Sequence, residues 1–338
     1  MLVLALESSC DETSAAVLRS APGEAGPSVL SNIVLSQDSI HAPYGGVVPE
    51  LASRQHIRAI EPIVKEALGR ASVRLEAIDL YAVTQGPGLI GSLLVGLSFA
   101  KGLAYYHKKP LSGVNHLEAH LEAAFLENPD IAYPVLGLLV SGGHTSLYFM
   151  PEPLRYDILG RTRDDAAGEA LDKVAKFLGI GYPGGPVIEK LARNGDAAAF
   201  AFSLPRTKDS SLDFSFSGLK TAALKHIRES GLSRDSSFLT DFLASFEAAV
   251  VRSLMDRVAG AFDRTSPRSL ILCGGVACNT RLRKAFAGLA AEGGVPSYVP
   301  SPKLCTDNAA MVGAMALKRL KSQPGPAGPD LDLDSFPR

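Results

Sequence analysis

Short, continuous apolar runs separated by small polar turns dominate the start of the chain, and longer segments with helical spacing follow. Residues 2–6 are apolar, 7–14 (ESSCDETS) are small and polar, and 15–18 are apolar again, which predicts strand, turn, strand. Residues 135–140, 141–146 (SGGHTS) and 147–150 repeat that layout. Further buried strands are predicted at 79–84, 110–114 and 269–273. From Glu50 onward, Leu51, Ile57, Ile60, Ile63, Val64 and Leu68 fall at helical spacing, and residues 92–103 form an almost wholly apolar helix. Helices are also expected at 164–177, 237–262, 280–289 and 309–320, with one more beginning near Ser217 as its N-cap. Pro and Gly mark loops at 21–27, 41–49 and 181–186, the last expected to be rigid. Two strand-turn-strand units opening two halves predict a duplicated α/β fold with a nucleotide held between the halves.

Composition changes this picture little. A length of 338 residues suggests about two domains, and 46% hydrophobic with 20% charged residues is an ordinary globular balance. The net charge of −1 means that any phosphate backbone must be gripped by a local basic patch or another subunit. Cys10, Cys273, Cys278 and Cys305 have neither metal-site nor disulfide-scaffold spacing, and they are read as free thiols in a reducing compartment. The first residues lack a basic n-region and no apolar run is long enough for a membrane span, so the expectation is a cytoplasmic protein.

Candidate chemistry lies in the turns and in one helix. The hydroxyls and carboxylates of the first turn, including Asp11 and Glu12, suit a phosphate or a Mg²⁺ ion. Residues 85–91 (QGPGLIG) resemble an anion-binding strand-loop-helix layout but match neither the P-loop nor G-x-G-x-x-G, and are read first as packing. Ser141, Gly142 and Gly143 make the better phosphate cradle, and Gly274-Gly275 after a strand suits a nucleoside lying against backbone. In Asn115-His116-Leu117-Glu118-Ala119-His120, the two imidazoles sit roughly 40° apart around a helix and can close on one metal ion. The other reading is two half-buried histidines on an amphipathic helix. Asp307 stands in an N-cap-like context before residues 309–320.

The blocks ESSCDETSAAV, GGVVPELASRQH, GPGLIGSLLVG, NHLEAH, LLVSGGHTSL, DDAAGEALDKVAKFLG, YPGGP, FSFSGLKTA, GGVACNTRLR and CTDNAAM, in this order, resemble the bacterial tRNA N6-adenosine threonylcarbamoyltransferase (TsaD) family from Glu7 to about residue 320. The resemblance implies an actin/Hsp70/sugar-kinase-like (ASKHA) α/β fold, duplicated, with two lobes around a central nucleotide cleft. It implies transfer of threonylcarbamoyl from threonylcarbamoyl-adenylate to the N6 amine of the adenosine 3′ of the anticodon, with release of AMP. His116, His120 and Asp307 then correspond to ligands of one divalent ion, iron or zinc. Leu139, Val140, Ser141, Gly142, Gly143, Asp172, Gly185 and Asn279 correspond to substrate or nucleotide contacts. Asp11 and Glu12 correspond to the catalytic acidic pair, with Asp11 preferred as base. Implied partners are tRNA, a TsaB-like paralogue and a TsaE-like ATPase, with the adenylate made by a TsaC-like synthase and no membrane involved. The expected division is an N-terminal lobe at 1–130 carrying the metal helix, a second lobe at 131–322 whose last helix packs back on the first, and a disordered tail at 323–338.

Two other functions compete. A zinc protease would need its base beside the first histidine, as in H-E-x-x-H, whereas Glu118 lies roughly 200° around the helix from His116. A sugar kinase or ATP-binding scaffold on the same fold would have no use for His116, His120 and Asp307 together. The basic stretches 106–109, 281–284 and 318–321 are short and suit solvated helix faces, so the chain alone is expected to be nearly inactive on tRNA.

Overall fold

The computed structural model describes residues 1–203, 211–322 and 332–336. The chain divides into two compact units, one of residues 1–41, 47–131 and 300–338, the other of residues 42–46 and 132–299.

In the first unit, β1 (Leu2–Glu7), β2 (Glu12–Arg19) and β3 (Ser28–Ser36) form an antiparallel meander, while β4 (Leu80–Gly86) and β5 (Leu111–Asn115) run parallel to β1. The sheet order is β3-β2-β1-β4-β5. After a short α1 (Asp38–His41), α2 (Pro49–Ala71) and α3 (Ile90–His107) pack on the sheet, burying Ile60, Ile63, Val64, Leu97 and Ala100 against Leu4, Leu6, Tyr81 and Val83. Burying each of these Ile, Val and Leu side chains stabilises the fold by about 1.5–3 kcal/mol. Helix α4 (His116–Glu127) follows β5 directly. The chain returns to this unit with α10 (Pro302–Cys305) and α11 (Ala309–Ser322), and α11 packs on β1, β2 and α4. Sheet residues covered from both sides explain why β1 reads as an unbroken apolar run rather than an alternation.

The second unit repeats the plan. Strands β6 (Val135–Val140), β7 (Thr145–Met150) and β8 (Asp157–Arg161) form the meander, and β9 (Ser269–Cys273) and β10 (Ser297–Tyr298) extend it in parallel, in the order β10-β9-β6-β7-β8. Its helices are α5 (Ala167–Leu178), α6 (Gly184–Ala192), α7 (Ser217–Ser230), α8 (Leu239–Thr265) and α9 (Thr280–Glu292). The duplication predicted from the two strand-turn-strand units is therefore borne out strand by strand.

Several local expectations are corrected. Strands β3 and β8 lie at one edge of each sheet, and their mixed polar and apolar residues gave no strand pattern. The supposed rigid loop 181–186 already contains the start of α6, whose first N–H, from Gly184, is bound by the Asp172 carboxylate at 2.6 Å. Ser217 is the first helical residue rather than the cap, and Asp164 accepts the N–H groups of Phe216 (2.8 Å) and Ser217 (3.2 Å). Of the expected disordered tail, residues 323–331 and 337–338 lie outside the described residues, whereas 332–336 lie against β4. There the Gln85 side chain donates to the Asp334 carbonyl (2.6 Å) and the Phe336 N–H to the Gln85 carbonyl (3.1 Å). Among the described residues, no helix is long and apolar enough to cross a membrane.

Candidate functional site

The metal-type cluster lies at the carboxyl ends of β1, β4 and β5. Asn115 closes β5 and caps α4, its Oδ1 accepting from the N–H groups of Leu117 (2.9 Å) and Glu118 (3.2 Å). The helix thus begins at His116, and its four-residue spacing brings the imidazoles of His116 and His120 together with ring centres 4.7 Å apart. They are not half-buried but fully so, at 4% and 0% exposure. Asp307 Oδ1 lies 3.0 Å from His120 Nε2 and 3.6 Å from His116 Nε2, and the ligand atoms of the three residues all fall within 4.8 Å of one another. Asp307 does not serve as the cap of α11. Asn308 does that, its Oδ1 accepting the Met311 N–H at 3.1 Å, while Ser14 Oγ accepts the Ala309 N–H at 2.9 Å.

A shell of buried groups orients the first histidine. Glu7, at 1% exposure, ends β1 and places Oε2 3.2 Å from His116 Nδ1; its carboxylate also accepts Thr84 Oγ1–H (2.5 Å) and the Ser9 N–H (2.6 Å). Burial pushes the Glu7 carboxyl up, but the His116 imidazole outweighs it and holds the group below the ordinary value. For His116, burial opposes a charge, yet Asp307 and Glu7 overcome it and push the imidazole up to about 9. The two carboxylates that favour a proton on His116 would equally favour a divalent cation in place of the Nε2 proton, with Nδ1–H kept on Glu7. Two imidazole nitrogens and a carboxylate oxygen suit zinc or iron, and the buried negative pocket fits a divalent ion.

Close to this cluster, the turn expected at 7–14 shortens to 8–11; it ends on Asp11, and Glu12 opens β2. Burial raises the Asp11 carboxyl, and burial followed by the adjacent Asp11 charge pushes Glu12 well above the usual carboxylate range; Asp307 adds to both. Two carboxyls whose environments resist ionisation to different degrees form an acid/base candidate.

The second unit brings its predicted residues to the carboxyl ends of β6 and β9. Leu139 and Val140 finish β6 as buried strand residues beside Cys273. In the following turn, the Ser141 N–H donates to the His144 carbonyl (2.8 Å) and Ser141 Oγ accepts the His144 N–H (3.1 Å), leaving Gly142 and Gly143 exposed with open space beside them. The start of α5 abuts this turn so closely that a Cβ at Gly168 would meet the Ser141 carbonyl oxygen at 2.6 Å. Gly274, at φ +92°, crosses Val140 with no room for a side chain. The two glycine turns are thus neighbours at the end of the sheet where open α/β folds bind ligands. Asn279 caps α9, its Oδ1 accepting the Leu282 N–H (2.9 Å), and its Nδ2 donates to Glu247 (2.7 Å). Asp172 likewise holds the start of α6, immediately before Gly185.

The structure therefore brings together His116, His120 and Asp307, and separately Leu139, Val140, Ser141, Gly142, Gly143 and Asn279. Sequence reasoning missed Glu7, Thr84 and Glu247. Glu7 left a signal, a lone carboxylate ending an otherwise apolar strand; Glu247, buried among the apolar residues of α8, left a similar one. The protease alternative loses its base, because Glu118 Oε2 is bound to Arg319 Nη2 at 2.7 Å.

Two solved structures share the fold at low identity. They are component A of the (R)-2-hydroxyglutaryl-CoA dehydratase of Acidaminococcus fermentans (14% identity, TM-score 0.52, covering 96% of this chain and 100% of that one) and HypF of T. kodakarensis (15%, 0.63, covering 95% and 48%). Sequence likeness is far stronger. The chain is 52% identical over 312 residues to the tRNA N6-adenosine threonylcarbamoyltransferase of Geotalea uraniireducens (strain Rf4), covering 92% of this chain and 89% of that protein. It is 52% identical over 336 residues to the protein of the same name from Anaeromyxobacter dehalogenans (strain 2CP-C), covering 98% of both. Since the family model described as TsaD, tRNA N6-adenosine threonylcarbamoyltransferase, also matches residues 28–314, the chain belongs to that family.

Proposed function

We propose that this chain transfers the threonylcarbamoyl group of threonylcarbamoyl-adenylate to the N6 amine of the adenosine 3′ of the anticodon, in tRNAs reading codons that begin with A. The observation that carries the reading is 52% identity across 98% of both chains to a relative bearing that name. In the reaction the N6–carbonyl carbon bond forms, the bond from that carbon to the phosphate oxygen breaks, AMP leaves, and one N6 proton must be accepted.

The residues divide the work as follows. Gly142 and Gly143 present backbone to the adenylate phosphate, and Asp172, Gly185 and Asn279 frame its nucleoside. Asp11, with Glu12 beside it, accepts the N6 proton, a task suited to a carboxylate whose affinity for protons is raised by burial. His116, His120 and Asp307 hold one divalent ion, zinc or iron, with Glu7 fixing the His116 ring. When bound, the ion supplies Lewis-acid polarisation and a template for the donor. In this reading the protein is cytoplasmic and works with a TsaB-like paralogue and a TsaE-like ATPase, on adenylate made by a TsaC-like synthase.

The test is to incubate the chain and those partners with threonylcarbamoyl-adenylate and unmodified tRNA, then seek the modified nucleoside by mass spectrometry. Product is expected with the full set and little with the chain alone. Absence of product from the full set would sink the reading, and robust transfer by the lone chain would remove the partner dependence.

A further inference from the structure

The turn that ends on Asp11, just before Glu12, has three consecutive backbone carbonyls, each met by a donor from a different part of the first unit. Ser9 O accepts the Leu89 N–H at 2.8 Å, and Asp11 O accepts the Gln37 N–H at 3.0 Å. Between them, Cys10 O accepts from His56 Nε2 at 2.9 Å and from Ser92 Oγ at 3.3 Å. His56 projects from α2, is 0% exposed, and its other nitrogen, Nδ1, lies 2.8 Å from Thr13 Oγ1. A carbonyl can only accept, so Nε2 carries the hydrogen. Burial lowers the proton affinity of this imidazole, so the ring is neutral and Nδ1 accepts the Thr13 hydroxyl hydrogen.

His56 therefore bridges the residue before the acidic pair and the residue after it. No other group described around the turn does both. Gln37 backs this arrangement: its amide nitrogen lies 3.5 Å from the His56 ring, and its Oε1 lies 3.2 Å from His41 Nε2, whose Nδ1 receives the Val48 N–H at 3.3 Å. His41 and Gln37 are themselves buried, which makes the set a fixed polar network rather than a solvated surface.

We propose that His56 is a positioning residue for the reaction, holding the Cys10–Thr13 backbone so that the Asp11 and Glu12 carboxylates stand where the attacking amine needs them. This rests on the reading of those two residues as the acid/base pair. A positioning role predicts a loss in turnover rather than in substrate binding, because displacement of a catalytic group by about 1 Å costs up to ~100-fold in rate.

The experiment measures kcat, KM for tRNA and thermal midpoint for His56→Gln, His56→Asn and Thr13→Val in the reconstituted transfer assay, beside Asp11→Asn and Glu12→Gln. The Gln amide nitrogen falls near the position of Nε2 and keeps the bond to Cys10 O; the shorter Asn cannot reach it. Expected are a fall in kcat of about 10–100-fold for His56→Asn, a smaller fall of about 3–10-fold for His56→Gln, which keeps the Cys10 bond but loses the one to Thr13, and unchanged KM for both. Wild-type kcat in His56→Asn, or equal impairment of the two variants at equal thermal midpoints, overturns the proposal. Should His56→Asn fail to fold, Thr13→Val decides: lowered kcat at wild-type KM supports the role, and wild-type kcat refutes it. Wild-type rates in both Asp11→Asn and Glu12→Gln would instead overturn the acid/base reading itself.

Discussion

Asp307, Glu7 and Glu12 make their separate contributions measurable one residue at a time. Replacing Asp307 by Asn removes the anionic ligand, and metal content by elemental analysis should fall from about one ion per chain to near zero, with transfer reduced at least ~100-fold. Glu7→Gln leaves all three ligands in place but loosens the His116 ring, so metal affinity in a chelator competition should weaken by about 10–100-fold. For Glu12 the sign of the pH effect is set by its raised proton affinity. The neutral form's contribution to stability is fully present below the ordinary carboxylate range and is lost as pH rises through the raised folded value. Glu12→Gln should therefore melt like the wild type at low pH and be more stable by about 1 kcal/mol at pH 8, while transferring poorly. Residue-level roles were only partly legible in the sequence. The histidine pair shows its spacing in the letters, but Asp307 stands in a cap-like context whose ligand role only the family resemblance implies, and nothing local marks His56 as a bridge.

At the level of elements, α4 and α11 are clamped by two ion pairs, Glu118 to Arg319 at 2.7 Å and Glu122 to Lys318 at 2.6 Å. The second pair is the more consequential, since the Glu122 side chain is 2% exposed and its charge would be left buried. Lys318→Ala should cost about 3 kcal/mol in a denaturant titration. Because α11 brings Asp307 to the histidines, the same variant should also bind metal less tightly. Central strands and long helices could be read from periodicity because both of their environments are apolar. Edge strands β3 and β8 could not, since one side of an edge faces water and the pattern dissolves into mixed residues. Helix starts failed for a related reason. The carboxylates of Asp164 and Asp172 hold the beginnings of α7 and α6 from distant positions, and no neighbouring letter records that.

For the whole molecule, the two units have different chain continuity. The second is nearly one stretch, 132–299 with a short insertion of 42–46, whereas the first needs residues 300–322 to cover one side of its sheet. A fragment of residues 132–299 should therefore unfold cooperatively by circular dichroism, and a fragment of 1–131 should show no such transition. Adding residues 300–322 through a linker should restore one.

Asp307, the third ligand of the proposed metal site, is encoded 187 residues after His120. A ribosome adding about 5–20 residues per second delivers it roughly 10–40 s after the second histidine. Until then no nascent or truncated chain has a complete site, however well its early strands have folded. On the proposed metal role, uptake would act as a completion check, restricting the loaded site to molecules whose last helix has been made and docked.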